Sequence, residues 1–181
     1  MNLYRRKTLK RLSVIGAGLA AASLPLKNIH AQEKTFMRKI PKTGETLPAV
    51  GLGSWQSFDI SNNDATELAK AKEVLKRFVE LGGRVIDSSP MYGASESVLG
   101  ELAAQLGIHK QLFVATKVWT SGRDAGIKQM QESMRKLKVE KLDLMQVHNL
   151  LDTDTHLATL RDWKKDGRVR YLGVTHYNQG G

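Results

Sequence analysis

Leu112-Phe113-Val114-Ala115-Thr116-Lys117 is the stretch on which the reading of this sequence turns. A run this apolar reads as a strand covered on both faces, as in a parallel sheet. A lysine that closes such a strand is costly to bury unless it is paired or employed. The chain offers partners at the ends of similar runs. Val85-Ile86-Asp87 closes on an acid and Met145-Gln146-Val147-His148 on an imidazole, while Tyr92 follows Asp87 in a short loop. Polar residues that end separate parallel strands gather at one end of a β/α barrel, where the active sites of that fold lie.

Working outward, the chain repeats one unit: a β-rich apolar run, a polar loop, an amphipathic helix. Phe36–Ile40 and Thr46–Val50 flank Pro41-Lys42-Thr43-Gly44 and predict a short hairpin. Val50-Gly51-Leu52-Gly53 follows as a first core strand. Leu68, Ala71, Leu75, Phe78 and Val79 share a helical face after a cap at Asn63 or Asp64, and Gly82-Gly83 stops that helix. Arg84–Ser88, Leu112–Lys117, Leu142–His148 and Val169–Thr175 are further strands. Between them lie the helical stripes Val98, Leu99, Leu102, Ala103, Leu106, then Ile127, Met130, Met134, Leu137, then a weaker face of Leu157, Leu160 and Lys164. Strict β/α alternation predicts parallel strands joined by right-handed crossovers. No Gly-rich phosphate loop follows a strand after Val50, which disfavours a doubly wound nucleotide fold. A (β/α)8 TIM barrel fits better, and it needs about 250 residues. Residues 32–181 are therefore expected to form an incomplete barrel of about the first five β/α units.

Residues 1–31 read as an address rather than a fold element. Arg5-Arg6-Lys7-Thr8-Leu9-Lys10 precedes a weakly apolar stretch from Leu12 to Leu26, and a small residue stands at Ala31. The paired arginines resemble a twin-arginine export signal, which implies the twin-arginine machinery as a partner and a periplasmic location. The stretch is too short and glycine-rich for a stable membrane span. Gly16-Ala17-Gly18-Leu19-Ala20-Ala21 imitates a dinucleotide fingerprint, but Pro25 interrupts any helix soon after it starts. The same segment explains the net charge of +10: it holds six cations and no acid, so the remainder carries only +4. That remainder has no dense basic run, which argues against nucleic-acid binding. Cysteine is absent, excluding a disulfide framework, a thiolate metal site and a cysteine nucleophile. No histidine and carboxylate set has metal-ligand spacing, and His30, His109 and His156 fall in the signal or in polar segments.

Several motifs then agree on one family. Gly51-Leu52-Gly53-Ser54-Trp55, Val85-Ile86-Asp87-Ser88-Ser89-Pro90-Met91-Tyr92-Gly93, Ser95-Glu96 to Gly100, Ala115-Thr116-Lys117-Val118-Trp119, Leu142–Asn149 and Gly167–Val174 resemble the aldo/keto reductase family, in its order and spacing. The resemblance runs from about residue 36 to the end of the chain. It implies a (β/α)8 barrel and reduction of aldehydes or ketones with NADP(H) or NAD(H). It also implies catalytic roles for Asp87, Tyr92, Lys117 and His148. Gly53, Ser54, Asp87, Thr175 and His176 fall at cofactor positions, and Trp55, Trp119 and Asn149 at substrate positions. Many relatives end the fifth strand in Ser-Asn, which hold the nicotinamide carboxamide; Thr175 keeps the hydroxyl and His176 replaces the amide. The family's adenosine-phosphate grip, sixth-strand glutamine and C-terminal specificity loop match no part of this chain. These residues alone are accordingly expected to bind NADPH weakly or not at all.

The residues support the same chemistry. A free tyrosine, with a pKa of about 10, is a poor proton donor at neutral pH. A nearby ammonium favours its phenolate, and an acid paired with that ammonium keeps it charged despite burial. A neighbouring histidine can donate to a carbonyl oxygen. Each residue also has a plainer reading: Asp87 as a loop cap, Tyr92 as a half-buried loop side chain, His148 as a satisfied strand-end residue, Lys117 as a chain that snorkels to water. Four matching acid–base groups at strand ends favour the joint reading. A non-catalytic nicotinamide-binding regulatory barrel and a nonfunctional gene fragment are the competing readings.

Overall fold

The computed structural model describes residues 35–177. The export signal expected over residues 1–31, the Gly16-Ala17-Gly18 imitation within it and His30 lie outside the described residues.

The described residues open with an antiparallel hairpin, β1 (Met37–Lys39) and β2 (Thr46–Pro48), with Met37 opposite Pro48 and Lys39 opposite Thr46. Its turn is closed by the Ile40 amide donating to Glu45 O at 2.8 Å. Five parallel strands follow in sequential order: β3 (Leu52–Gly53), β4 (Val85–Asp87), β5 (Phe113–Val118), β6 (Leu142–His148) and β7 (Val169–Thr175). The connecting helices are α1 (Ala65–Glu80), α2 (Ser95–Leu106), α3 (Arg123–Leu137) and α4 (Thr153–Lys165). This is the alternation read from the sequence, and sequential parallel order is the signature of a barrel wall.

Local chemistry sets the boundaries. Asp64 caps α1, its carboxylate accepting from the Glu67 amide at 3.0 Å. Gly107 ends α2 in a left-handed conformation, φ 65°, that side chains resist. The core forms where the helical stripes meet one face of the sheet. Leu75, Leu99, Met130, Met145, Val147 and Leu160 are all fully buried there. Each such side chain contributes about 2 kcal/mol of apolar burial.

One stripe was misread. The face of α4 that packs inward is His156, Thr159, Leu160 and Trp163; Leu157 is only half-buried and Lys164 is exposed. His156 is therefore no surface residue of a polar segment but a fully buried one. Apolar periodicity skips a histidine and a threonine that each make a hydrogen bond to a backbone carbonyl inside the core.

The hairpin is fastened across the starts of the last strands. Glu45 accepts from Arg170 and from the Tyr171 hydroxyl, the latter at 2.6 Å. Arg170 also donates to Asp143 Oδ1 at 2.5 Å, and Asp143 Oδ2 accepts from the Val114 amide at 2.7 Å. This ties β5, β6 and β7 to the hairpin at the sheet end opposite the candidate site.

Candidate active site

Asp87, Lys117, His148 and Thr175 stand at the C-terminal ends of β4 to β7. Parallel register makes this a cluster: Gly53 pairs with Asp87, Lys117 with Gln146, and His148 with Thr175. Side chains alternate along each strand, so these residues project from the face away from the helices.

Lys117 is the hub. Its side chain is 4% exposed, and Nζ lies 2.5 Å from Asp87 Oδ2. It also donates to Ser88 O at 2.7 Å. The other carboxylate oxygen of Asp87 accepts from Gln146 Nε2 at 3.1 Å. Both oxygens of Asp87 are thus engaged, which fixes the carboxylate and the ammonium against it. Lys117 Nζ stands 4.9 Å from the centre of the Tyr92 ring. That ring meets His148 edge-on at 6.3 Å and Trp55 at 6.4 Å. Tyr92 reaches this position because its loop is pinned: the Tyr92 amide donates to Ser89 O at 3.0 Å, and the Ala94 amide to Asp59 Oδ1 at 2.8 Å.

His148 Nδ1 lies 2.6 Å from Thr175 Oγ1. Burial, and then the Lys117 charge, hold the imidazole below its usual pKa, with Asp87 opposing. Both favour the neutral ring, and a neutral ring whose Nδ1 accepts from Thr175 presents Nε2–H.

The remaining sequence candidates surround this centre. Ser54 is buried and donates to Ser88 Oγ at 2.9 Å, tying the loops after β3 and β4 together. Gly53 has no heavy atom within 4 Å of where a Cβ would stand, so space is open beside Asp87. Trp55 is 65% exposed. Trp119 follows β5 and comes level with His148, because Val118 pairs with Val147. Asn149 follows His148 with φ 55°, in the left-handed region. His176 is exposed, its ring 5.8 Å from Tyr177 and not joined to the cluster.

Three contributors were missed. Gln146 holds the second Asp87 oxygen; its alternation with His148 in β6 was the available signal. Asp59 pins the Tyr92 loop, and nothing local in the sequence marks it. Glu96, 1% exposed at the start of α2, accepts from Thr116 Oγ1 at 2.6 Å and Ser133 Oγ at 3.1 Å, behind the lysine strand. Burial raises its carboxyl above the ordinary range despite those two donors. The cleft of about 670 Å³ between α1 and α2, lined by Leu68, Lys72, Val98 and Gln105, contains none of the cluster. Among the described residues no three histidine or acidic side chains assemble as metal ligands.

Residues 49–180 match the model of the aldo/keto reductase family. The chain belongs to that family. Methylglyoxal reductase YeaE of Escherichia coli (strain K12) is 31% identical over 137 residues, 72% of this chain and 46% of its own length. An aldo-keto reductase of Mycobacterium sp. (strain KMS) is 34% identical over 144 residues, 74% of this chain and 48% of its own. Among solved structures, an aldo/keto reductase from Brucella melitensis superposes with a TM-score of 0.63 at 29% identity, covering 80% of this chain and 55% of that one. A Gox0644 mutant in complex with NADPH superposes with a TM-score of 0.63 at 28% identity, covering 81% and 51%. The chain spans about half the length of the curated relatives it matches. Its fold is the aldo/keto reductase type of β/α barrel, of which the described residues supply five parallel strands.

Proposed function

We propose that this aldo/keto reductase reduces small aldehydes or ketones with NADP(H) or NAD(H), using Tyr92 as the proton donor. The observation that carries the reading is Lys117, buried between Asp87 and the ring of Tyr92. An ammonium there stabilises negative charge as the phenol proton leaves. Asp87 holds that ammonium in place through their ion pair. His148, neutral and with Nε2–H free of the Thr175 bond, donates to the carbonyl oxygen and orients it toward Tyr92.

The residues present fit a nicotinamide. Open space at Gly53, the half-exposed groups of Asp87 and His148, and the Thr175 hydroxyl suit a flat ring bearing an amide. Asp87 and Thr175 would hold it, while Ser54, 1% exposed and bonded to Ser88, supports the loop behind rather than touching the ring; when bound, a reduced nicotinamide supplies the hydride to the carbonyl carbon. His176 is a weaker candidate for the carboxamide, since it stands exposed beside Tyr177. Trp55, Trp119 and Asn149 would border the substrate. YeaE is a methylglyoxal reductase by name, and a compact dicarbonyl is a sensible first substrate to assay.

The test is Tyr92→Phe in a chain extended to eight β/α units with the C-terminal half of a relative. Steady-state NADPH oxidation should fall by about a hundredfold or more, while NADPH binding by fluorescence is retained. Undiminished turnover would remove Tyr92 as donor. Loss of cofactor binding as well would favour a purely structural ring.

The proposal extends to location. The Arg5-Arg6-Lys7 run and the apolar stretch after it support export of the folded protein by the twin-arginine route to the periplasm. Replacing both arginines by lysine should leave the protein in the cytoplasm on fractionation; unchanged export would rule the route out.

A further inference from the structure

The loops that follow β5 and β6 are fastened to each other by side chains with no part in the proposed chemistry. The first loop, residues 119–122, carries Trp119. The second, residues 149–152, carries Asn149. His156 on α4 is fully buried, with Nε2 2.6 Å from Thr120 O. A carbonyl only accepts, so Nε2 carries the proton and the imidazole donates. Asp152, at the start of α4, accepts from the Gly122 amide at 2.7 Å. From α3, Gln129 clasps the first loop a third time: its Oε1 accepts from the Trp119 amide at 2.6 Å and its Nε2 donates to Trp119 O at 3.1 Å.

These bonds come at a cost that stability alone does not explain. His156 Nδ1 is buried and meets no donor among the described residues, and Thr153 Oγ1 one turn earlier is likewise unsatisfied. A buried polar atom left bare is destabilising, and an apolar residue at 156 would avoid it. The backbone pays as well. Asn149, Leu150 and Asp152 all lie in the left-handed region, at φ 55°, 55° and 49°. None is glycine, so each is strained. Gly126 on α3 makes room for the imidazole, because a Cβ there would run into its Cε1 and Nδ1. Strain, a bare nitrogen and a cleared space all serve to deliver His156 and Asp152 to the first loop.

From this geometry we infer that His156 and Asp152 are positioning residues that latch the loops after β5 and β6 into one rigid rim, and thereby fix Trp119 and Asn149 at the mouth of the carbonyl site. The mouth is pre-formed rather than a lid that closes on substrate. The latch stands on geometry alone; its bearing on substrate choice rests on the carbonyl-reductase reading above.

Hydrogen exchange on the 181-residue chain tests the latch without any activity. In His156→Leu the Trp119 and Gly122 amides should exchange about fivefold faster, the population change expected for loss of one buried hydrogen bond. Core amides such as Met145 should be unmoved. His156→Gln, which can still donate to Thr120 O, should restore slow exchange. Asp152→Ala, at a half-buried site, breaks the second strap and should speed Gly122 even if His156→Leu does not fold. Unchanged exchange in folded variants, or an equal rise at every amide, overturns the latch. In the eight-unit chain, His156→Leu should raise KM for the carbonyl several-fold more than it lowers kcat. A latch confirmed by exchange with no change in KM would leave the rim intact and sink its role in substrate choice. A chain with no turnover at all would sink the reductase reading and not the latch.

Discussion

Toward the strand ends that carry the candidate site, the two faces of β4 and β6 are built to opposite standards. Toward the helices, Ile86, Val114, Val118, Met145 and Val147 are all 3% exposed or less. Toward the other side, Asp87, Leu144, Gln146, His148, Tyr171 and Thr175 are only half-buried. One residue of register separates the two sets in β4 and along most of β6, whereas β5 is buried at every position and Val174 of β7 is 50% exposed. Folding free energy is drawn from the first face, and the groups able to do chemistry stand on the second. A change on one face should therefore register mainly as stability and on the other mainly as function.

The sharpest way to break this contrast is a cavity on the sealed face. Met145→Ala should lower unfolding free energy by about 3 kcal/mol, read from urea denaturation. Lys117→Met, on the open face, should cost about 1 kcal/mol, chiefly for the Ser88 carbonyl left without its donor. Asp87 is spared because its side chain is 39% exposed and keeps Gln146. If the lysine variant lost as much as the methionine one, the division of labour would be wrong.

A smaller effect tests the buried acid that α2 presses against the sealed face. Glu96 has its carboxyl raised above 4.5 by burial. A group with a raised folded pKa contributes fully below its unfolded pKa, and that contribution is lost as pH rises through the folded value. Stability should thus fall from pH 4.5 upward until the raised value is passed, and Glu96→Gln should abolish that slope. A slope that persists in the variant would assign it to another group. The smallest effect is on His148. Its NMR titration midpoint should lie below 6.5, held there by burial first and Lys117 second. In Lys117→Met the midpoint should rise; a fixed midpoint would deny that the two share a field.

The sequence made the strand-end cluster legible because each member closes an apolar run, and strand ends in a parallel barrel share one rim. Asp87, Lys117 and His148 could be placed near each other without knowing the register. Tyr92 was less constrained, since its position depends on Asp59, a loop residue with no periodic mark. His156 was hidden for a different reason. The spacing 156, 159, 160, 163 is a proper helical stripe, but only if a histidine and a threonine are counted as core. Glu96 could not be inferred at all: its two donors sit on β5 and α3, 20 and 37 residues away. Polar contacts between elements leave no period in the chain, whereas apolar ones do.

The clasp of Glu45 on Arg170 and Tyr171 spans 125 and 126 positions of sequence. The hairpin turn leaves the ribosome well before Arg170 and Tyr171 do. It must wait through synthesis of β3 to β7 before it can dock. A chain emerging in this order keeps that turn undocked until β7 has formed, so the docked turn is a record that the strand carrying its two partners has already found its place.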